Sequence, residues 1–235
     1  MILFLSIKNL NHNLFILIMA DIDQYLEPTE FLDFQRERVR NKANEITNVL
    51  KTDKEKAIAL FYWVRDNIKY NMYTYNPKIK ANLKASVTLR RKNGFCMSKA
   101  VLLSALARAA GIPARIRMVD IINHKINPKI IDLMQTNIFH CHGISEILLN
   151  GNWLKLTPVF DKDTALKAGF VPLIEFDGKN DALFKSHDKE GNQFVEYVKD
   201  YGVYSELPIE QIVEIFTKAY PGMYARTEFP KRQRL

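Results

Sequence analysis

Between Gly94 and Pro113 the sequence leaves the chain little choice. The run from Cys96 through Ala110 places Ala, Leu and Met at helical spacing, and Gly111 and Pro113 stop it, because glycine takes the left-handed turn that ends helices and proline cannot continue one. Ala100, Leu103, Ala107 and Ala110 are small or flexible, which suits a helix packed on all sides. Gly94, just before it, permits a tight backbone approach. A helix buried all round needs other elements wrapped about it. The 235 residues, 47% of them hydrophobic, supply enough chain for one domain or at most two small ones.

Those elements can be read on both sides. Phe31, Phe34, Val39, Ala43, Ile46, Val49 and Leu50 recur among charges between Pro28 and Lys51, which predicts an amphipathic helix. A second helix is predicted from Lys54 to Asn67, opened by a capping box of Thr52 and Glu55 and carrying Ala57, Ile58, Leu60, Phe61 and Val64 on its apolar face, with Trp63 structural. From Asn71 to Lys92 the helical period is lost and Pro77 is excluded from a helix interior, so a long surface excursion is expected. Residues 1–18 are apolar but interrupted by Lys8, Asn9, Asn11, His12 and Asn13, so they lack the roughly 20 consecutive apolar residues of a membrane span and fit a signal peptide poorly. They are expected to be peripheral, mobile or absent from the working protein, followed by a helical segment over residues 19–53.

After the central helix the period becomes that of strands. Arg115 to Ile122 is one; His142 to Leu149 and Asn152 to Thr157 form a hairpin about Asn150-Gly151, the dipeptide that tolerates the positive backbone angles of a type I′ turn. Phe176-Asp177-Gly178 reads as a turn, Phe194 to Val198 as a strand and Pro208 to Ala219 as a helix.

Charge and cysteine content narrow the function. The 34 Lys and Arg outnumber the 26 Asp and Glu, giving a net charge of +8, yet the basic groups scatter around Lys78, Lys80 and Lys84, at Arg90, Arg91 and Lys92, and at Lys231, Arg232 and Arg234. No stripe interleaved with aromatics results, which argues against nucleic-acid binding. Two cysteines are too few for a disulfide scaffold and fit a cytoplasmic protein. No phosphate-binding loop, dinucleotide fingerprint or Gly-x-Ser-x-Gly elbow is present, so no cofactor is expected.

Cys96 begins the buried helix, where free amides and the positive end of the dipole favour thiolate. His142 opens a strand 46 residues later, and a sheet packed on the helix start would bring its imidazole to the thiol, the arrangement of nucleophilic catalysis by Cys and His. Alternation places His142, Ile144 and Glu146 on one face, with Cys141 and Ser145 on the other, so Cys141 reads as the inert cysteine. His140 would share the His142 side as a supporting or surface residue. Zinc is the competing use of Cys96, His140, Cys141 and His142, but adjacent strand residues diverge and the paired ligand spacing is missing, so no metal site is expected.

Asn93-Gly94-Phe95-Cys96-Met97-Ser98-Lys99-Ala100, with Ala107-Arg108-Ala109-Ala110-Gly111-Ile112-Pro113-Ala114-Arg115, resembles the cysteine motif of the transglutaminase-like superfamily. His142-Gly143-Ile144-Ser145-Glu146, the Asn-Gly turn and Trp153 resemble its histidine motif. The resemblance runs from about Phe61 to Phe160, and Glu175-Phe176-Asp177-Gly178 with Asp181 resembles a bacterial and archaeal subgroup. It implies an α+β, papain-like core in a domain over residues 54–235 that includes a C-terminal extension. In that core a central helix presents Cys to an antiparallel sheet carrying His and Asp. The implied activity is thiol acyl chemistry on a peptide or protein amide, with hydrolysis favoured over amine transfer. One departure matters: the place of the family's Asp falls on Thr157, a hydroxyl that orients an imidazole without charge. Asp161 is then the expected third member, with Thr157 the alternative and Glu146 a weaker one. An oxyanion hole would use the Cys96 amide and, as the resemblance suggests, Tyr70. The rival reading is an inactive binding module that keeps the fold.

Overall fold

The computed structural model describes residues 22–74, 76, 79–170 and 173–221; the expected leader at residues 1–18 and the basic tail at Lys231, Arg232 and Arg234 lie outside them. Helices α1 (Glu37–Thr47) and α2 (Asp53–Asn67) come first. The predicted capping box opens α2: Thr52 Oγ1 accepts from the Glu55 N–H at 3.2 Å, and the Glu55 carboxylate accepts from the Thr52 N–H at 2.9 Å. A cap of this kind is worth about 1 kcal/mol. Strand β1 (Lys69–Tyr70) lies parallel to β2 (Asn93–Gly94), with short helix α3 (Ala85–Arg91) between them in sequence. Helix α4 (Cys96–Ala109) follows, and every side chain from Met97 to Arg108 is buried, as its composition predicts.

The rest of the chain builds the sheet: β3 (Ala114–Asn123), α5 (Pro128–Met134), β4 (Ile138–Leu149), β5 (Asn152–Leu156), α6 (Lys162–Lys167), β6 (Val195–Tyr204) and α7 (Ile209–Ala219). Strand order is β5-β4-β3-β6, antiparallel throughout. Asn150 and Gly151 take φ of 50° and 80°, as the hairpin turn requires. One face of the sheet receives α4, around which α1, α2 and α3 pack, and a single apolar cluster runs from Phe31 to Tyr220. The other face carries a second cluster of Val119, Ile121, Ile144, Phe170, Phe184 and Phe194. This is an α+β fold in which a central helix begins with cysteine and lies on an antiparallel sheet.

Three local expectations are corrected, and two short helices, α5 and α6, are added. The helix predicted from Pro28 to Lys51 covers only Glu37–Thr47, because the segment before it is needed elsewhere. Phe31 and Leu32 are buried there, and Asp33 accepts hydrogen bonds from the Ser86 N–H (2.9 Å) and hydroxyl (2.5 Å) in the first turn of α3. The excursion from Asn71 to Lys92 is not all surface, since α3 and the turn before it bury Leu83, Ala85 and Leu89; seven residues are too few to display a helical period. Helices α5 and α6 were hidden by the same shortness. Strand β6 is twice the predicted length, its alternation blurred by Lys199, Asp200 and Gly202.

Sheet and central helix meet most closely at Gly143 of β4. A Cβ there would stand 2.7 Å from the Met97 Cα, a backbone atom that cannot step aside. Gly143→Ala is therefore expected to lower stability by about 1–3 kcal/mol, the range for overpacking a filled interior, read as a lower urea midpoint at unchanged m-value.

Candidate active site

Cys96 is the first residue of α4, and its surroundings follow from how that helix starts. Ser98 Oγ accepts from the Phe95 N–H at 3.0 Å, which closes the first turn. Gly94 pairs with Tyr70, and a Cβ on Gly94 would fall 2.4 Å from Ser98 Oγ, so only glycine lets β1 and β2 lie beside the helix start. The half-buried thiol is met by three backbone N–H groups: those of Gly143, Met97 and Cys96 itself. Burial outweighs them and pushes the Cys96 thiol up to about 11. Burial thus works against the thiolate that the helix start favours. A helix terminus stabilises charge by about 0.3–1 kcal/mol, up to about 2 when partly buried, whereas desolvation shifts buried groups by several pKa units.

The Gly143 amide comes from β4, at a point where no residue of β5 is paired with that strand. Strand β5 pairs with β4 only as far as Ser145↔Leu156 and then turns away. The amide in question joins His142 to Gly143, so the thiol lies one peptide link from the histidine backbone. The His142 ring points to the second apolar cluster with Ile144, as alternation predicts, and packs on Phe184 at 5.7 Å between ring centroids. It is 3% exposed, and burial alone pushes its pKa down to about 3. Among the described residues its Nε2 has no hydrogen-bond partner, and neither has the buried Thr157 Oγ1. Thr157 follows the last paired residue of β5, and its N–H donates to the Ala182 carbonyl at 2.9 Å. No hydrogen bond joins thiol and imidazole among the described residues.

The carboxylates named from sequence are engaged elsewhere. Asp161 is the N-cap of α6: it accepts from the Thr164 N–H (3.2 Å) and hydroxyl (2.7 Å), from the Tyr70 N–H (2.9 Å) and from Lys69 Nζ (3.2 Å). Burial would raise its pKa, but these donors hold it at about 2. None of its bonds reaches His142; an Asp directly before a helix start is taken by the helix amides. Glu146 is fully buried between Arg115 Nε (2.6 Å) and Arg117 Nε (2.5 Å). Tyr70 packs its ring on Phe160 at 4.7 Å, and its phenol is raised first by burial and then by the neighbouring Cys96 sulfur. Tyr70 and Cys96 both touch both apolar clusters, so they stand together at the seam.

His140 does not share the His142 side. A β-bulge sets two residues, His140 and Cys141, opposite one, Asp120, and turns His140 to the other face, where its Nδ1 meets Asp120 Oδ2 at 2.9 Å. Cys141 is fully buried, with its thiol pushed up to about 12 by burial, in keeping with an inert role. Its φ of 53° is a conformation that costs a non-glycine residue about 1–3 kcal/mol. Among the described residues no group of three or more His, Cys, Asp or Glu could hold a metal. Nor is any described helix long and apolar enough to cross a membrane.

Two groups at the site escaped the sequence reading. The Gly143 amide is one; the small residue after His142 was its signal. Lys99 is the other, fully buried one turn after Cys96, its Nζ donating to the carbonyls of Arg65 (3.0 Å) and Ile68 (2.6 Å) at the end of α2. Burial pushes it down to about 7, against the pull of Asp161 and Asp66. A lone Lys inside an otherwise buried helix was the visible sign. By tying down Ile68 it fixes where β1, and so Tyr70, begins.

Fold and site together define a protein with a thiol at the start of a buried helix and a histidine on the adjoining strand. The chain belongs to the transglutaminase-like superfamily, whose sequence pattern matches residues 40–158. No curated protein sequence matches it. It is similar to a solved structure from Cytophaga hutchinsonii, a protein proposed to be a cysteine protease (19% identity, TM-score 0.48, 78% of this chain and 54% of that one). It is also similar to the periplasmic domain of TgpA from Pseudomonas aeruginosa (22%, 0.40, 57% and 45%). A third similar structure is a protein from Parabacteroides distasonis proposed to be a protease (15%, 0.38, 59% and 25%). The chain thus spans from a quarter to about half of these structures' lengths.

The buried imidazole has a consequence for stability. An unfolded histidine takes up a proton below about pH 6.5, whereas folded His142 stays neutral down to about 3. The unfolded state then binds more protons, so this contribution is complete above pH 6.5 and is lost as pH falls toward 3. Between pH 6.5 and about 4.5, stability should drop by about 2–3 kcal/mol, at roughly 1.4 kcal/mol per unit. His142→Gln should flatten that slope in urea titrations, while the loss tied to Asp161, which needs pH below its ordinary value of 3.8, remains.

Proposed function

We propose that the protein carries out acyl chemistry on an amide or peptide bond, with Cys96 as nucleophile and His142 as base, and that water rather than an amine resolves the acyl-enzyme. The observation that carries this reading is a thiol ringed by three N–H groups at a helix start, one of them from the strand that bears His142, where no residue of β5 is paired with it. A peptide or protein amide is the substrate proposed. The two free thiols support a cytoplasmic setting.

The chemistry follows from the resting charges. Thiol and imidazole both start neutral, so the thiol proton passes to His142 as the sulfur attacks the carbonyl carbon. The oxyanion draws on the Cys96 N–H and the Tyr70 hydroxyl. The imidazolium returns its proton to the leaving amine, and a thioester remains for water to cleave. Thr157 is the proposed third member: its hydroxyl accepts from His142 Nε2–H and leaves Nδ1 as the base, once the ring turns toward the sulfur. Asp161 then acts through Tyr70, whose N–H it holds.

A second reading, a binding module without activity, is favoured by one observation: thiol and imidazole are both desolvated and neutral, and no carboxylate meets the ring. Acylation by peptide amide and activated peptide ester substrates, followed by mass spectrometry at Cys96, separates the two. Cys96→Ala should abolish the adduct, and His142→Ala should slow acylation by roughly 100-fold or more, as loss of a general base does. Thr157→Val should cost several-fold in rate, about 1 kcal/mol for one hydrogen bond, with little change in KM. Added amine should leave the free acid as the main product. An adduct forming at the same rate without His142 would favour the binding module.

A further inference from the structure

We propose that Asp120, Tyr201 and Tyr220 lock the β4 bulge and thereby aim His142 at the site, acting as positioning residues. This rests on the Cys96–His142 reading above and extends it to side chains that no step of the chemistry uses. The bulge stands immediately before His142, and a bulge re-aims the side chains that follow it. Without the extra residue, alternation would keep His140 and His142 on one face; with it, the face reverses at Cys141.

Such a bulge releases backbone groups from the β3–β4 ladder, and here two side chains, Asp120 of β3 and Tyr220 after α7, take them, with Tyr201 of β6 bracing Asp120. The Asp120 carboxylate, 4% exposed, accepts from the Cys141 N–H at 2.9 Å through Oδ1. Its Oδ2 meets His140 Nδ1 (2.9 Å) and the Tyr201 hydroxyl from β6 (2.9 Å). The Tyr220 hydroxyl, at the end of α7, accepts from the His140 N–H at 2.6 Å and donates to the Ile138 carbonyl at 3.0 Å. Every one of these bonds holds the left-handed Cys141 and its neighbours in a conformation the chain would otherwise leave. Tyr201 and Tyr220 lie beyond residues 40–158, so the part of the chain outside the family match completes this device.

The test is a double-mutant cycle on thiol reactivity. Asp120→Asn and Tyr220→Phe are each made with His142 present and with His142→Ala, and the rate of Cys96 carbamidomethylation by iodoacetamide is followed at neutral pH by peptide mapping. With His142 present, each variant should slow the reaction by about tenfold or more, since misplacing a reacting group by an ångström costs on the order of 100-fold. Without His142, neither should change the rate by more than about twofold, because independent sites add and coupled ones do not. Equal slowing in both backgrounds would mean a general structural role and overturn the proposal. Should His142→Ala alone leave the rate unchanged, the Cys96–His142 reading falls, and the lock with it. Tyr220→Phe removes one hydroxyl and keeps the ring, so it carries the test if Asp120→Asn fails to fold.

Discussion

The contact of α4 with β4 at Gly143 determines where every reacting group can be. A helix and a sheet ordinarily keep side chains between their backbones; here one glycine removes that spacer, and the Met97 Cα comes within 2.7 Å of where a Cβ would be. The first turn of α4 is then close enough for a strand amide to reach the Cys96 sulfur, which a helix amide alone could not arrange. Strand β5 pairs with β4 only as far as Leu156, so no residue of β5 is paired with Gly143. Close packing and an interrupted ladder coincide at this glycine.

That packing sets the electrostatics. Bringing the thiol to the seam between two apolar clusters strips it of water, and the three amides around it do not compensate. His142 is affected as well, and there burial acts alone. An ion pair between them would require both penalties to be met at once, and a buried pair recovers that only with excellent geometry and further hydrogen bonds. The neutral state is therefore the resting one.

The central helix, the hairpin and the capping box could be read because each depends on local chemistry: small residues bounded by glycine and proline, Asn-Gly, and Thr with Glu three residues on. The position of Cys96 and the face of His142 followed from those elements. What stayed hidden depends on tertiary demand. Asp33 looks like one more charge on a helical face until the amides of α3 claim it. His140 looks like a partner of His142 until a bulge, for which the sequence gives no glycine, reverses it. Lys99 and Asp120 are polar residues in apolar runs, and their burial becomes intelligible only when the carbonyls and amides they serve are in place.

Asp161 shows how such demands compete for one side chain. Its carboxylate can accept at most a handful of hydrogen bonds, and the start of α6, the Tyr70 amide and Lys69 take four. Moving it to His142 would uncap α6 and release β1, and with β1 the phenol beside Cys96. Four satisfied donors on a buried carboxylate outweigh one new bond to an imidazole that the interior keeps neutral. The Thr157 hydroxyl carries no charge to desolvate and, among the described residues, has no hydrogen-bond partner. Asp161 instead stabilises the frame in which Tyr70 and Cys96 stand together at the seam of the two apolar clusters.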